Sequence, residues 1–598
     1  MRKMWWLGCV LIPLAGCGVF EEDKDESSDD EEKAEDELVA TNTETAQMYA
    51  ELSGKGKDEI VLQQTSNAEF AALVPASAEA ILAIKDLDRL ASDYSDFLDP
   101  DRAGDHELGR GLREAQTTLK REIGFDLSDP EDWEGTGVDF DNEWVFVFHD
   151  EDLDNDPPMS LMIPLTDRDA FRSKIDQLAR IDGDSVRCTD SGSAQKCSAG
   201  ARGDRLDFAL FDNYMVMAIP SAGHDTGETL ARYLKEDSDR LASRHRFAQI
   251  YDSMPGSWNV MLWASDRVMV KGLQEEMDDL PRRQLQDLNA KYGSGEGTGV
   301  WGMGMSLGLS LEHVEVNFLW GADWLDETVA PYVASSGSDS LAAKLGGEAF
   351  AAVRLTQDIG KLMDAVFEQD EQARRGWEDT RIQLKDTMGF DIQSDLIEHL
   401  DGNISLIGMN ESGMGGVLYL GLKEEAPVER VLTKLIDQFG DGSIRRSTSD
   451  AGDTWYVMST GDFEAGIAVV DGNLLIAGSE NSGLVRTVQS SLGPKGTHDL
   501  MDVFGQHGAK AFIDGAPVVA VANIPAVVDL ILDNRSLQGE MDRDFVRNLS
   551  RGRQLIRTCA GDLLMSGAIT GEAIVGVARM ESGRGDFSPC IELALEQQ

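Results

Sequence analysis

Alternating aspartates occupy the stretch "DEDLDNDPP" at residues 150–158, where they could bind a cation. Asp152, Asp154 and Asp156 have the spacing with which a calcium-binding loop presents its carboxylates to the ion. Pro157, however, stands where such a loop needs glycine, and no glutamate follows at the loop's last ligand position. Because two apolar runs, "WVFVF" and "SLMIPL", flank the stretch, we predict a solvated hairpin tip and no metal site.

A short motif that occurs twice is a second candidate, as "LKREIGFD" at 119–126 and "LKDTMGFD" at 384–391. Each copy offers a lysine and an aspartate, so the two copies could form a paired ligand site. The pattern also suits the end of an amphipathic helix, because glycine there adopts a left-handed turn and lysine favours the helix dipole. We favour this structural interpretation and predict positive φ angles at Gly124 and Gly389.

The N-terminus combines a basic start, a short apolar run and a cysteine. Arg2 and Lys3 precede an apolar stretch that is too short to span a bilayer as a helix. Leu14-Ala15-Gly16-Cys17 resembles the lipobox of bacterial lipoproteins. The resemblance implies that residues 1–16 are a signal peptide and that the Cys17 sulfur carries diacylglycerol. It also implies two or three acyl chains, such as palmitate, which together hold a protein stably on a membrane.

An acidic segment follows the cysteine at once. Residues 21–37 hold twelve Asp or Glu against two lysines, so like charges repel and no apolar face exists. We therefore predict that residues 17–65 comprise the lipidated cysteine and a disordered tether. Gly18 follows Cys17, and by resemblance to Gram-negative sorting rules this favours the outer membrane. Its periplasmic face and the cell surface both remain open.

The composition beyond the tether describes an acidic globular body. The net charge is −54, of which residues 21–37 supply −10. An acidic body argues against nucleic acid as a partner, because nucleic-acid-binding proteins carry basic patches. A hydrophobic content of 41% is enough to build real cores. The acidity fits a saline habitat or a need for solubility, and the sequence leaves both readings open.

The remaining cysteines agree with an exported protein. Cys188 with Cys197, and Cys559 with Cys590, form two local pairs along the chain. An oxidising compartment permits disulfides, so we predict the bonds Cys188–Cys197 and Cys559–Cys590. No CxxC motif occurs and no histidine stands at ligand spacing from either pair, which disfavours a metal site.

The repeated motif belongs to a longer internal repeat. "FALFDNYMVMAI" and "IAVVDGNLLIAG" both read as hairpins, with Asp212-Asn213 and Asp471-Gly472 at their turns. Strand-helix segments and pairs of adjacent strands also recur in each half. We predict an α+β fold with two tandem, internally duplicated halves, in which helices pack on antiparallel sheets. The halves are residues 66–325 and 341–595, and residues 326–340 link them.

Further candidates for chemistry are weak. No nucleophile elbow, HExxH motif or phosphate-binding loop occurs, and "GSGEGTG" lacks the strand and helix that a nucleotide-binding loop needs. Five tryptophans could stack on glycan, although core packing is the more common role of tryptophans in apolar strands. These are Trp258, Trp263, Trp301, Trp320 and Trp324. We therefore expect no catalytic residue, metal or cofactor.

The whole chain resembles large, uncharacterised cell-envelope lipoproteins of myxobacteria and their relatives. The resemblance rests on the lipobox, the acidic tether and the early segment "VPASAEAILAIKDLDRL". It implies a role in the cell envelope and no defined activity. We expect a non-enzymatic protein that binds or scaffolds an envelope protein or glycan, anchored to the membrane through its lipid. A hydrolase of envelope polymers with carboxylate catalysts and a carrier of an apolar ligand are the alternatives; the oligomeric state is open.

The lipid anchor is directly testable. We expect the substitution Cys17→Ser to abolish lipid labelling and to release the protein into the soluble fraction, because no other residue offers the sulfur for acylation at that site. Metabolic labelling with a fatty acid, followed by fractionation, measures both effects. Normal lipid labelling of the variant would refute the assignment.

Overall fold

Apolar runs in the sequence become the strands of one large antiparallel sheet, and helices pack on both of its faces. The computed structural model therefore confirms the predicted α+β class. The structure describes residues 68–87, 89, 135–150, 157–181, 185–199, 206–220, 224–235, 239–254, 258–269, 271, 300–310, 313–322, 349–369, 371–409, 415–439, 444–449, 451–460, 463–479, 483–492, 518–533, 543–570 and 573–582. The tether and the segment 326–340 lie outside these residues.

In the described part of the chain, twenty strands form the sheet. We call β1 to β10 the N-terminal strand set and β11 to β20 the C-terminal strand set. Their bounds are β1 Ala80–Ile84, β2 Trp144–Phe148, β3 Met159–Pro164, β4 Arg187–Ser191, β5 Ala194–Ala199, β6 Leu206–Leu210, β7 Tyr214–Ile219, β8 Val260–Ser265, β9 Val300–Leu309, β10 His313–Ala322, β11 Ala349–Thr356, β12 Leu400–Met409, β13 Gly415–Leu422, β14 Ile444–Thr448, β15 Thr454–Thr460, β16 Phe463–Val470, β17 Asn473–Ser479, β18 Val518–Asn523, β19 Ala560–Thr570 and β20 Ala573–Ser582.

The strand pairings, all antiparallel, occur in the same order in both sets. The N-terminal set runs β4-β5-β6-β7-β3-β2-β1-β8-β9-β10 across the sheet. The C-terminal set runs β14-β15-β16-β17-β13-β12-β11-β18-β19-β20. Each strand of one set therefore has a counterpart with matching neighbours in the other.

The last strand of each set joins the two sets into one sheet. β10 pairs with β20 from His313↔Glu581 to Gly321↔Ala573. Leu319 and Val575, which are paired across this junction, both belong to the core of the N-terminal set. Arg579, four residues from Val575 on β20 and so on the same face, pairs with Leu564, which belongs to the core of the C-terminal set. The cores of the two sets therefore lie on the same side of the sheet, which we call the inner face.

The inner face carries two apolar cores. In the N-terminal set, Ile81, Val147 and Trp263 are fully buried in one of them. In the C-terminal set, Ile407 and Trp455 belong to the other. Trp258 and Trp263 are buried, which confirms core packing for these two tryptophans.

The described α-helices connect the strands on both faces. They are α1 Arg168–Ile181, α2 Thr226–Leu234, α3 His245–Tyr251, α4 Ile359–Gln369, α5 Glu371–Met388, α6 Ile392–Asp395, α7 Glu425–Phe439, α8 Leu484–Ser491, α9 Ile524–Asp533 and α10 Arg543–Cys559. The α2 helix begins where the Asp225 carboxylate accepts a hydrogen bond of 2.8 Å from the Gly227 N–H, an ordinary N-cap.

The described helices cover the opposite, outer face only in part. Phe171 of α1 packs with Phe208 and Met215 of the N-terminal set. In the C-terminal set, Val428 and Leu432 of α7 pack with a group of strand residues. That group is Leu420, Leu422, Tyr456, Ile467, Val469 and Leu474.

Several local predictions are confirmed. Asp471 and Gly472 both have positive φ, of 45° and 79°, as the two-residue turn between β16 and β17 requires. "WVFVF" and "SLMIPL" are the paired strands β2 and β3, and β8 and β18 each lead into a helix. The repeated adjacent strands are the pairs β9–β10 and β19–β20.

Candidate functional site

Several residues singled out in the sequence lie outside the described part of the chain. They are Cys17, Cys590, the aspartates at 152, 154 and 156, and Gly124 with its copy of the repeated motif. Within the described part, no group of three or more His, Cys, Asp or Glu is placed to hold a metal ion. No described helix is long and apolar enough to cross a membrane.

Each of the two predicted disulfides includes at least one cysteine that the structure describes. Cys188 and Cys197 are directly paired on β4 and β5 and form a disulfide. The bond fastens an edge strand of the sheet to its neighbour. Cys559, at the end of α10, is also disulfide-bonded. Its pairing with Cys590 stays a prediction.

The second copy of the repeated motif is a helix terminus. Gly389 has a φ of +69° just after α5, and its N–H donates to the Lys385 carbonyl at 3.0 Å. Phe390 is buried beside it. The structural interpretation of the motif is therefore confirmed for this copy. Lys434 of α7 also donates to the Gly389 carbonyl at 2.9 Å, which ties the turn to the next helix.

Asp391, the last residue of the motif, is a buried carboxylate with several donors around it. Arg381 Nε donates to it at 2.8 Å, the Gln393 N–H at 3.1 Å and Lys385 Nζ at 3.4 Å. Burial alone would raise the pKa of Asp391, but these donors outweigh it and hold the pKa below its usual range. The motif's lysine and aspartate thus pair with each other at the start of α6, and this copy presents no open ligand site.

A cluster that sequence reasoning missed lies on the inner face of the N-terminal set. His149 Nε2 is 3.0 Å from Ser160 Oγ on β3 and 3.2 Å from the Tyr233 hydroxyl on α2. The two hydroxyls are hydrogen-bonded to each other. Tyr233 lies 84 positions from His149 along the chain, so only the fold brings them together.

A serine beside a histidine could be a nucleophile with its base, but this environment opposes such chemistry. Ser160 is 0% exposed, so no substrate in solvent reaches its hydroxyl. Burial, with a smaller effect of Arg232, lowers the pKa of His149 to about 3. Burial also raises the pKa of Tyr233 above its usual range. We interpret the cluster as a buried polar network in the core.

Glu79 forms a second buried polar group at the same end of the sheet. Its carboxylate accepts hydrogen bonds from Ser265 Oγ and from Arg267 at 3.3 Å. Ser265 Oγ in turn accepts from the Val268 N–H at 3.4 Å, at the start of the helix that follows β8. Burial raises the pKa of Glu79, against the opposing effects of Ser265 and two arginines. These contacts make Ser265 the N-cap of that helix and let Glu79 orient its hydroxyl.

The outer face of the C-terminal set carries an exposed apolar row. Val353 pairs with Leu406, Leu406 with Leu418, and Leu418 with Ile476 on successive strands. Because paired residues in an antiparallel sheet point to the same side, these four side chains are neighbours on one face. Leu406 is 52% exposed, and Val353 and Ile476 are also exposed. Phe463 of β16, on the same face, is 44% exposed.

A row of small residues runs beside this apolar row. It consists of Ala351, Gly408, Gly416, Gly478 and Ala465, paired in that order across five strands. A Cβ atom at Gly408 would meet the Phe350 ring, and one at Gly478 would meet the Phe463 ring at 3.5 Å. A Cβ atom at Gly416 would meet only the Ile407 carbonyl oxygen at 3.5 Å and Leu406 Cδ1 at 3.9 Å.

These two rows together form a shallow apolar groove across the strands, which we call the outer groove. Its wall is Val353, Leu406, Leu418 and Ile476, and its floor is the small-residue row. Gly416 is its lowest point, because the rings of Phe350 and Phe463 lie over the glycines on either side. A contiguous exposed apolar surface of this kind is typical of a binding site.

The Asp391 contacts predict a stability effect. We expect Asp391→Asn to lower the free energy of unfolding at pH 7 by about 1–3 kcal/mol, because Arg381 loses its buried ionised acceptor. The folded-state pKa is lowered, so the ionised form stabilises the fold above about pH 3.9 and this contribution is lost as the pH falls through the folded-state value. The difference between parent and variant should therefore shrink in acid.

Chemical denaturation at several pH values measures this difference. Asp437→Asn, at an exposed position on α7, is the matched control and should change little. Equal stability of the parent and the Asp391→Asn variant at pH 7 would contradict the role given to Asp391.

Comparisons with known proteins give no family assignment. No protein-family model matches the chain, and no curated protein matches it. Two solved structures are similar over part of it, crystal forms IV and III of TP0453, each with 12% sequence identity. They cover 43% and 42% of this chain, and 83% and 79% of the TP0453 chain, with TM-scores of 0.22 and 0.23. At such TM-scores the likeness carries no argument about fold or function.

Proposed function

We propose that this protein is a non-enzymatic, lipid-anchored binding protein of the bacterial cell envelope, and that it binds an apolar ligand in the outer groove. The observation that carries the proposal is the exposed row made by Val353, Leu406 and Ile476 on one face of the C-terminal set. Soluble proteins rarely leave such a row open unless it has a function.

The anchoring part of the proposal rests on the N-terminal sequence. The lipobox-like Leu14-Ala15-Gly16-Cys17 supports acylation of Cys17, and Gly18 supports the outer membrane. The acidic residues 21–37 then separate the folded body from the lipid. A disulfide between Cys188 and Cys197 suits an oxidising compartment outside the cytoplasm.

We also propose that the chain arose by internal duplication of a unit of ten strands. The supporting observation is the matching order of strand pairings in the two sets. Sequence echoes support the same origin, above all the two copies of the "K-x-x-x-G-F-D" motif. The two copies have since diverged. Ser160, in the polar cluster of the N-terminal set, occupies the position on β3 that Val417 occupies on β13. A polar position in one set is therefore apolar in the other.

Binding without catalysis is supported by the state of the serine–histidine pair. A base with a pKa of about 3, next to a serine with no exposed surface, cannot activate a nucleophile toward an external substrate. The outer groove itself is lined by aliphatic and aromatic side chains with glycine, which supply packing and no acid–base chemistry.

A polarity-sensitive anilinonaphthalene dye tests the apolar site. We expect the unlipidated mature chain to enhance the dye's fluorescence, and the double variant Leu406→Ser with Ile476→Ser to lose at least half of that enhancement. Both side chains are already exposed, so the change should leave the melting temperature nearly unaffected.

Ile382→Ser is the matched control for this experiment. Ile382 is 58% exposed on α5, outside the apolar row, so its loss should leave the dye signal intact. Dye fluorescence that is equal in the parent, the double variant and the control would refute an apolar site in the outer groove.

A further inference from the structure

We infer that the ligand of the outer groove is a single acyl chain with an anionic head group, and that Arg446 binds the head group. This inference rests on the proposed function and specifies the ligand class of the same site. It follows from three features of the groove: its lack of polar partners, the direction of its rows and the cation at one end.

The groove offers no hydrogen-bonding group to a ligand along its wall and floor. β12, β13 and β17 are each paired on both sides, so their backbone N–H and C=O groups are used within the sheet. The side chains of the wall are all aliphatic. An extended peptide laid across these strands would leave its own amide groups unpaired, which is costly. A hydrocarbon chain has no such groups.

The direction of the groove also suits a hydrocarbon chain. Its wall and floor rows are two residues apart along each strand, for example Leu406 and Gly408, and this spacing is about 7 Å. A single hydrocarbon chain can lie on the floor beside the wall, perpendicular to the strands, as the wall and floor rows do.

The same face continues to the edge strand β14. Ile476 pairs with Ile467, Ile467 with Tyr456, and Tyr456 with Arg446. Ile467 and Tyr456 are half-buried because they pack against the residues of α7. The floor continues beside them from Ala465 to Met458 and Ile444. Beyond the Phe463 ring, an apolar surface bordered by α7 therefore extends toward Arg446 at the edge. From β12 to β14 this face spans five strand spacings, roughly 24 Å at ~4.8 Å each.

Arg446 is the cation at the edge of this surface. Its side chain is exposed, and its Nη2 donates to Thr454 Oγ1 at 3.3 Å. It forms no ion pair with a described carboxylate, whereas its neighbour Arg445 pairs with Glu464 at 3.3 Å on the other face. In a chain with a net charge of −54, such an arginine gives one place where a carboxylate or phosphate is favoured.

Two substitutions separate the tail from the head of this ligand. Gly416→Leu would fill the floor without strain, because Gly416 is not among the residues with positive φ and a Cβ atom there has room. Arg446→Gln would remove the charge at the edge. Gly376→Leu on α5, where a Cβ atom meets nothing within 4 Å, and Arg445→Gln are the matched controls.

Calorimetric titration of the unlipidated mature chain with palmitate and with hexadecanol is the test. We expect Gly416→Leu to weaken both ligands at least tenfold. Arg446→Gln should weaken palmitate by about tenfold, the loss of one charge-assisted contact, and leave hexadecanol unchanged. Both controls should bind both ligands as the parent does.

The other outcomes overturn the inference in different ways. Unchanged palmitate binding in Gly416→Leu would mean that the acyl chain lies elsewhere. Equal loss of both ligands in Arg446→Gln would refute the head-group role. Failure of palmitate to bind a parent protein that still responds to the dye through Leu406 and Ile476 would refute the acyl ligand and leave the proposed apolar site standing. Failure of both probes would refute the site as well.

Discussion

Side chains alternate between the two faces of a β-sheet, and this alternation is the constraint on which the architecture depends. The β10–β20 pairing fixes which faces of the two strand sets lie on the same side, because it places Leu319 and Val575 together on one side of the sheet. A shift of that register by one residue would turn one strand set over relative to the other. With the observed register, both apolar cores share the inner face, and the outer face is left for the remaining helices.

The uneven covering of the outer face then creates the candidate site. α7 covers the end of the C-terminal set that contains Leu420 and Leu474. Two residues further along the same strands, Leu418 and Ile476 join Leu406 of β12 in the apolar row, and Leu406 and Ile476 remain exposed beside a floor of glycines. The groove is therefore a part of the sheet's own surface that no described helix covers. Its chemistry, apolar along its length with a cation at the edge, follows from the strand residues alone.

Local features were predictable from the sequence because their causes are local. The turn at Asp471-Gly472 and the helix end at Gly389 each depend on a backbone conformation that few residues adopt. Strands and helices likewise follow from the spacing of apolar residues. The order of the strands was not predictable, because the pairing of β3 with β7 and of β10 with β20 joins segments that are distant in the chain.

The candidate site was missed for a related reason. Leu406, Leu418 and Ile476 occur in apolar strands and look like core residues, since the sequence does not state which face a helix will cover. The glycines of the floor, Gly408 and Gly416, come from separate strands and become a row only through their register. His149 and Tyr233 also meet only in the fold. Long-range pairing and helix placement thus carry the information that single-sequence patterns lack.

In the proposed complex, an acyl chain lies across the outer face of the C-terminal set. Photolysis of the unlipidated mature chain with a fatty acid that carries a diazirine near the end of its tail, followed by peptide mapping, locates that acyl chain. We expect adducts on Leu406, Leu418 or neighbouring residues of β12 and β13, and their loss in the presence of excess palmitate. Adducts confined to the inner-face helices or to the N-terminal set, or adducts that palmitate does not displace, would contradict this placement of the acyl chain.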